Sequence, residues 1–258
     1  MVRVVSPAPR GFLGATQFLT RIPIRLAAPV EHAKIVPWFG IVGVLIGAAV
    51  GGVGAGLGVL VPTTVAAACA VVVGLIITGA FHEDGLADIA DAFGGGWTVE
   101  QRLEILKDSR HGTYGVAALT ASIVIRIVAA SAIAGSAALF ASFVAAHAIG
   151  RSAAVVAMKT APPARSSGLG VSAAADLRMP SVVLGSAAGL GLAALAVGWW
   201  VVPFVGAAAA GTGVVVVLAV RKIGGLAGDV LGAVEQIVES LVLVVASGLA
   251  AHHDLWWR

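Results

Sequence analysis

Charge is what this sequence has least of. Only 11% of its 258 residues are Asp, Glu, Lys or Arg, roughly half the share of a soluble domain. That leaves too little polar side chain to cover a water-facing surface. Disorder is excluded as well, because disordered chains are poor in apolar residues and rich in charge. Cysteine is nearly absent: Cys69 stands alone in an uncharged apolar stretch, so no intrachain disulfide can form and the thiol is expected to be packed. No signal peptide is expected either. Arg3 and Arg10 imitate a basic leader, but Arg21 and Arg25 follow too soon and no small-residue cleavage site stands out.

What is abundant is apolar. Hydrophobic residues make up 59% of the chain, with 34 glycines and a mean hydropathy of +1.01. An integral membrane protein is the class that remains, with the lipid bilayer as its partner. The net charge of +3 would suggest nucleic acid in a soluble chain. Here the basic residues are better explained by membrane topology, and no nucleic-acid partner is expected.

A spanning helix needs about 20 mainly apolar residues. Trp38 to Phe81 contains no charged residue, and Pro62 divides it into two spans. Gly115 to Met158 holds two more around Gly135-Ser136. Ser181 to Val220 holds another pair broken near Trp199-Trp200 and Pro203, and Val230 to Ala251 makes a seventh. The expected fold is therefore all-α, a polytopic α-helical membrane protein of about seven transmembrane helices forming a single domain over 1–258. The arm 1–37 and segments 82–114, 159–180 and 221–229 then share one side and hold 13 of the 16 Lys and Arg residues. The positive-inside rule puts these segments in the cytoplasm, which implies a multi-pass protein of the cell (inner) membrane. Gly47, Gly51, Gly52, Gly54, Gly56 and Gly58 suit close helix packing, and Gly11 to Leu19 reads as a short helix at the membrane interface.

Segment 82–114 carries seven of the thirteen acidic residues: Glu83, Asp84, Asp88, Asp91, Glu100, Glu104 and Asp108. If the preceding span continues as helix, Asp84, Asp88 and Asp91 are spaced i, i+4, i+7 and share a face about 60° wide. Such a stack repels itself unless a cation intervenes. Oxygen ligands suit Mg²⁺ or Mn²⁺, and a divalent ion at a membrane edge is what a phosphoryl or pyrophosphate substrate requires. The blander alternative is a solvated helix end. Beyond Gly94-Gly95-Gly96, Thr98 and Gln101 form a capping-box start. The run Lys107 to Gly115 then places cations, hydroxyls and two glycines in a turn, a candidate phosphate cradle.

Two dense motifs carry a resemblance. His82-x-Asp84-Gly85-Leu86-Ala87-Asp88-x-Ala90-Asp91 and Lys107-Asp108-Ser109-Arg110-x-Gly112-Thr113-Tyr114-Gly115 closely resemble the cobalamin synthase family, the adenosylcobinamide-GDP ribazoletransferases. Phe18 to Pro23, Gly40 to Gly47 and Gly225 to Glu239 are similar to further family stretches. This chain departs from the pattern at Gly40, Glu83, His111 and Pro163, and no departure removes an aspartate. The resemblance implies the last assembly step of cobalamin: adenosylcobinamide-GDP is joined to α-ribazole, or its 5′-phosphate, with release of GMP and with Mg²⁺ present. Segment 82–114 is then the catalytic loop. Asp84, Asp88 and Asp91 are expected in metal and base roles, with Asp229 as a further metal ligand. Lys107, Arg110 and Tyr114 are expected at the pyrophosphate, and His82, Asp108, Arg151 and Arg165 complete the expected substrate-binding set. The oligomeric state is left open, a homo-oligomer included.

Arg126, Arg151, Glu235 and Glu239 lie within apolar spans, where charges need partners or a cavity. Glu235 and Glu239 are i, i+4, and pairing with Arg126 or Arg151 stands beside substrate contact as a reading. Asp229 fits a helix N-cap as well as a ligand, and His147 fits a packed residue. His252, His253, Trp256 and Trp257 look like an interfacial anchor. Two other classes share part of this pattern. A CDP-alcohol phosphotransferase also uses Asp-Gly at a membrane edge, but needs Ala-Arg where this chain has Asp88. An ion-coupled transporter would use the buried charges as a relay, yet the acids concentrate in one cytoplasmic segment.

Overall fold

The computed structural model describes residues 7–133, 135–164 and 177–256. Among them are eleven α-helices and no strand. They are α1 (Pro7–Leu19), α2 (His32–Ile35), α3 (Phe39–Leu57), α4 (Thr63–Thr78), α5 (Phe81–Gly95), α6 (Val99–Ile105), α7 (Thr113–Ser131), α8 (Ser136–Ala157), α9 (Met179–Val197), α10 (Val201–Ile223) and α11 (Gly228–Ala250). Arg165 and Trp257 lie outside the described residues.

Glycine sets how closely the helices approach. On α3, Gly43, Gly47 and Gly51 recur every fourth residue along one stripe. A Cβ there would lie 2.5 Å from the His147 carbonyl oxygen, 2.5 Å from that of Phe143 and 2.8 Å from that of Phe140. Backbone thus meets backbone between α3 and α8, the small-residue packing expected where lipid supplies no hydrophobic push. Gly52 and Gly56 face open space, so only part of the glycine run serves packing. Helix α8 is the hub, buried along nearly its whole length against α3, α9, α10 and α11.

Five helical stretches are long and apolar enough to cross a membrane, or six if the bent pair α4–α5 counts as one span. This does not confirm the expected seven, and two features account for the difference. Helix α4 has only 16 residues, short of a span by itself. Helices α9 and α10 join in one 45-residue stretch, Met179–Ile223, long enough for two spans and broken at the turn Gly198–Trp200, where the sequence placed the break. At that turn Gly198 has φ 62°, and the Trp256 ring fills the space beside it. The turn near Pro62 falls where the sequence placed it, with Pro62 preceding α4. Gly135, at φ 86°, precedes α8.

The first-turn backbone of α11 lies against α5, and the segment after α11 reaches the Gly198 turn. With 23 residues, α11 is roughly 35 Å long, comparable to the hydrocarbon core of a bilayer. The acidic helix therefore sits at one end of the bundle and the Trp199, Trp200 and Trp256 cluster at the other. Helix α1 packs its Ala15 and Leu19 fully into the bundle, and Phe18 stacks on Phe39 at 5.6 Å and meets Phe81 edge-on at 5.3 Å.

Candidate active site

The span before the acidic segment does not continue straight into it. Gly79 (φ 66°) and Ala80 (φ 56°) both adopt left-handed backbone, and α5 leaves α4 at 91°. Glycine takes that conformation freely, whereas Ala80 is held there at a cost. The Arg21 backbone N–H donates to the Ile77 carbonyl at 2.7 Å, and the Arg21 side chain covers Gly79. The start of segment 82–114 is helical, as the i, i+4, i+7 spacing of its aspartates suggested, but it is turned across the end of the bundle instead of continuing the preceding helix. It packs against α7 and α11.

All three aspartates lie on α5, but they do different things. Asp84 is 63% exposed and Asp88 15% exposed at the side chain, and His111 reaches back to both. His111 Nε2 lies 3.4 Å from Asp84 Oδ1 and Nδ1 lies 3.4 Å from Asp88 Oδ1. One ligand atom from each of the three residues falls within 4.8 Å of the others. Partial burial and the neighbouring Asp84, Asp229 and Asp91 charges push the Asp88 carboxyl up to about 6, and His111 only partly offsets them. A carboxylate crowded in this way is relieved by a cation.

Asp91 is turned away from that group. Its Oδ2 accepts the Gly112 N–H at 2.6 Å and its Oδ1 the Gly115 N–H at 2.9 Å. These are donors of the first turn of α7, so Asp91 caps α7 from another helix and complements its dipole. The same contact explains the two glycines. A Cβ on Gly112 would lie 2.6 Å from Asp91 Oδ1, and one on Gly115 would collide with the carboxylate. Two N–H groups of the expected phosphate cradle, those of Gly112 and Gly115, are in this arrangement engaged by Asp91.

Among the other expected site residues, Lys107, Asp108 and Arg110 are exposed. Arg110 Nη2 donates to Asp108 Oδ2 at 2.7 Å and Nε to Oδ1 at 3.0 Å. Hydrogen bonds from the Arg110 side chain and backbone hold the Asp108 carboxyl down to about 2. The exposed Tyr114 lays its ring over Gly94, where a Cβ would lie 2.6 Å from Tyr114 Cγ. Asp229 opens α11 beside Gly85.

His82 and Arg151 depart from the substrate-facing position expected of them. Both are buried, because the helices that carry them face a polar cluster inside the bundle. Arg151 bonds Glu235, with its Nη1 3.4 Å from Glu239 Oε2, and His82 Nδ1 lies 3.6 Å from Glu235 Oε2. His147 Nδ1 is 2.9 Å from Glu239 Oε2. Arg126 bridges Glu239 at 3.0 Å and Glu83 at 3.1 Å. The buried charges of α7, α8 and α11 thus pair with one another, and Glu83 brings the site helix into the same network.

Sequence reasoning missed four contributors. Glu83 and His111 counted only as departures from the family pattern, and neither Lys222 nor Arg102 was marked. Lys222 donates to the Phe93 carbonyl at 2.7 Å and Arg102 to the Lys222 carbonyl at 3.0 Å, tying the end of α5 and α6 to α10. A cation at the last turn of α5 also suits its dipole. The Thr98–Gln101 capping box is present as expected.

Comparison with known proteins supplies an independent line. Residues 11–247 match the family described as cobalamin-5-phosphate synthase. A relative from Bradyrhizobium diazoefficiens, named adenosylcobinamide-GDP ribazoletransferase, is 40% identical over 241 residues, covering 90% of this chain and 91% of its own. Relatives of the same name from Xanthobacter autotrophicus and Vibrio cholerae are 38% and 31% identical, covering 90% and 93% of this chain and 93% and 94% of theirs. No solved structure matches the chain.

Proposed function

The chain belongs to the cobalamin-5-phosphate synthase family, and from that premise we infer that it is an adenosylcobinamide-GDP ribazoletransferase working at the α5 face. It joins adenosylcobinamide-GDP to α-ribazole, or its 5′-phosphate, and releases GMP in the last assembly step of cobalamin. The supporting observation is that the matched stretch contains both α5 and the turn 107–115, which converge on one end of the bundle. An ion-coupled transporter is a weaker reading, since the buried charges are paired with one another rather than set along a path, and a CDP-alcohol phosphotransferase is weaker because Asp88 stands where its motif needs Ala-Arg.

In the proposed reaction a ribose hydroxyl of ribazole attacks the phosphorus nearer cobinamide. A new O–P bond forms, the pyrophosphate bridge breaks, GMP leaves, and the hydroxyl proton passes to a carboxylate of the same face. Asp84 and Asp88 would hold Mg²⁺, and their spacing together with His111 fits a divalent ion. When bound, such an ion supplies charge neutralisation for the pyrophosphate. Asp91 keeps the 107–115 turn against α5, and Lys107 and Arg110 stand on that turn as cations for the phosphates. For Arg110 to grip phosphate, its bond to Asp108 must be exchanged. The concentration of basic residues at this end supports an inner-membrane protein whose site faces the cytoplasm.

Purified protein in liposomes, supplied with both substrates and Mg²⁺, should release GMP in step with corrinoid product, and omission of ribazole should stop it. GMP release that ignores ribazole, or none from folded protein, would overturn the assignment.

A further inference from the structure

Asp84, Asp88 and His111 form a mixed oxygen and nitrogen donor set. The two nitrogen-to-oxygen separations of 3.4 Å are longer than a good N–H···O bond of about 2.7–3.2 Å. Each lies between the adjacent and opposite ligand spacings about one octahedral ion, and one of the two ring nitrogens would face that ion. Octahedral ligands about 2.1 Å from a metal stand roughly 3.0 Å apart when adjacent and roughly 4.2 Å apart when opposite. The three donor atoms, mutually within 4.8 Å, fall near that range. A second observation bears on His111 itself. Its chain neighbour Gly112 is fixed to Asp91 at 2.6 Å, and Gly115 to the same carboxylate at 2.9 Å. The loop is therefore anchored so that the imidazole faces the two carboxylates.

We propose that His111 is a nitrogen ligand of the α5 metal site, with Asp91 as the residue that positions it, so that the site binds Mn²⁺ more tightly than Mg²⁺. The proposal rests on the reading of α5 as a metal-binding face. Its chemistry is that of ligand preference: Mg²⁺ favours oxygen and keeps its waters, whereas imidazole suits first-row transition ions. The ring lends one nitrogen to the ion while its other nitrogen stays near a carboxylate, the usual orienting partner of a metal-bound imidazole.

Untagged full-length protein in detergent, without substrate, is titrated with Mn²⁺, and binding is read from the loss of the free-ion electron paramagnetic resonance signal. Pulsed measurements on the bound ion report nitrogen coupling from a coordinated imidazole. Wild type should bind one Mn²⁺ tightly with that coupling. His111→Ala should lose the coupling and about 10-fold or more in Mn²⁺ affinity, with Mg²⁺ affinity, read by competition, changed far less. Mn²⁺ bound without nitrogen coupling, with affinity unchanged in His111→Ala and abolished in Asp88→Asn, would overturn the role of His111 and leave the acidic metal site standing. Mn²⁺ binding that neither variant alters, or none in wild type, would overturn both.

Discussion

Replacing Gly85 by alanine should separate the site helix from α11. A Cβ at this position would lie 2.9 Å from the Asp229 carbonyl oxygen, 3.1 Å from Asp229 Cα and 3.3 Å from Gly232 Cα. Comfortable contact needs about 3.5 Å, and the obstacles are backbone, so the two helices must part by roughly 0.5 Å. Overpacking of this kind costs about 1–3 kcal/mol, and the better helix propensity of alanine returns about 1 kcal/mol. The net loss of stability is therefore modest, on the order of 1 kcal/mol. Activity should suffer more, because the shift moves Asp84 and Asp88 relative to Asp229. A misplacement of about 1 Å can cost a hundredfold, so half that distance predicts roughly a tenfold fall in kcat. The assay is GMP release in liposomes beside thermal unfolding in detergent. Gly213→Ala, on α10 with nothing within 4 Å of the new methyl, is the control and should keep full activity. Wild-type kcat in Gly85→Ala would refute the argument that this close approach sets the site.

Three further outcomes follow from the geometry. Ala80→Gly should raise Tm, because relief of the left-handed alanine outweighs the added chain entropy by about 0.5–1 kcal/mol; an unchanged or lower Tm would show that the bend carries no strain. Arg126→Met leaves Glu83 and Glu239 buried without their shared cation and should cost about 3–5 kcal/mol, read as thermal stability in detergent, with part of the loss recovered by adding Glu83→Gln. Asp88→Asn should stabilise the metal-free protein in a pH-dependent way. The folded carboxyl is raised from 3.8 to about 6, so its penalty builds as pH rises through that window and is complete above it. After allowance for solvent screening, the gain is about 1–2 kcal/mol above pH 6. It should vanish near pH 4, and a gain that instead grew toward acid pH would contradict the assigned environment.

The membrane class, the helical architecture and the common helix of Asp84, Asp88 and Asp91 were legible because each depends on local pattern: long uncharged runs and an i, i+4, i+7 spacing. The partners of the buried charges were legible in part. Four charges inside apolar spans had to find one another, and Arg126 with Glu239 and Arg151 with Glu235 did so. Glu83 was hidden by its neighbours, since in a run of acids nothing local marks the one that turns inward. The bend at Gly79-Ala80 carried no proline, and an alanine in left-handed backbone gives no signal in sequence. The separate tasks of Asp91 and His111 depend on a turn folding back over α5 from another element, which spacing along the chain does not encode. His82 and Arg151 were expected at the substrate because the motif and the cost of a buried arginine both suggest function. The structure places them in the ion-pair network that braces α5, α8 and α11.

The most direct test of the account is GMP release from adenosylcobinamide-GDP and α-ribazole-5′-phosphate by the reconstituted protein, in Mg²⁺ or EDTA, for wild type, Asp84→Asn and Asp88→Asn. The account predicts metal-dependent release in step with cobalamin phosphate in wild type, and its loss in both variants while their thermal unfolding remains cooperative. Full activity in the two folded variants would contradict it, because the chemistry would then lie away from the exposed face of α5.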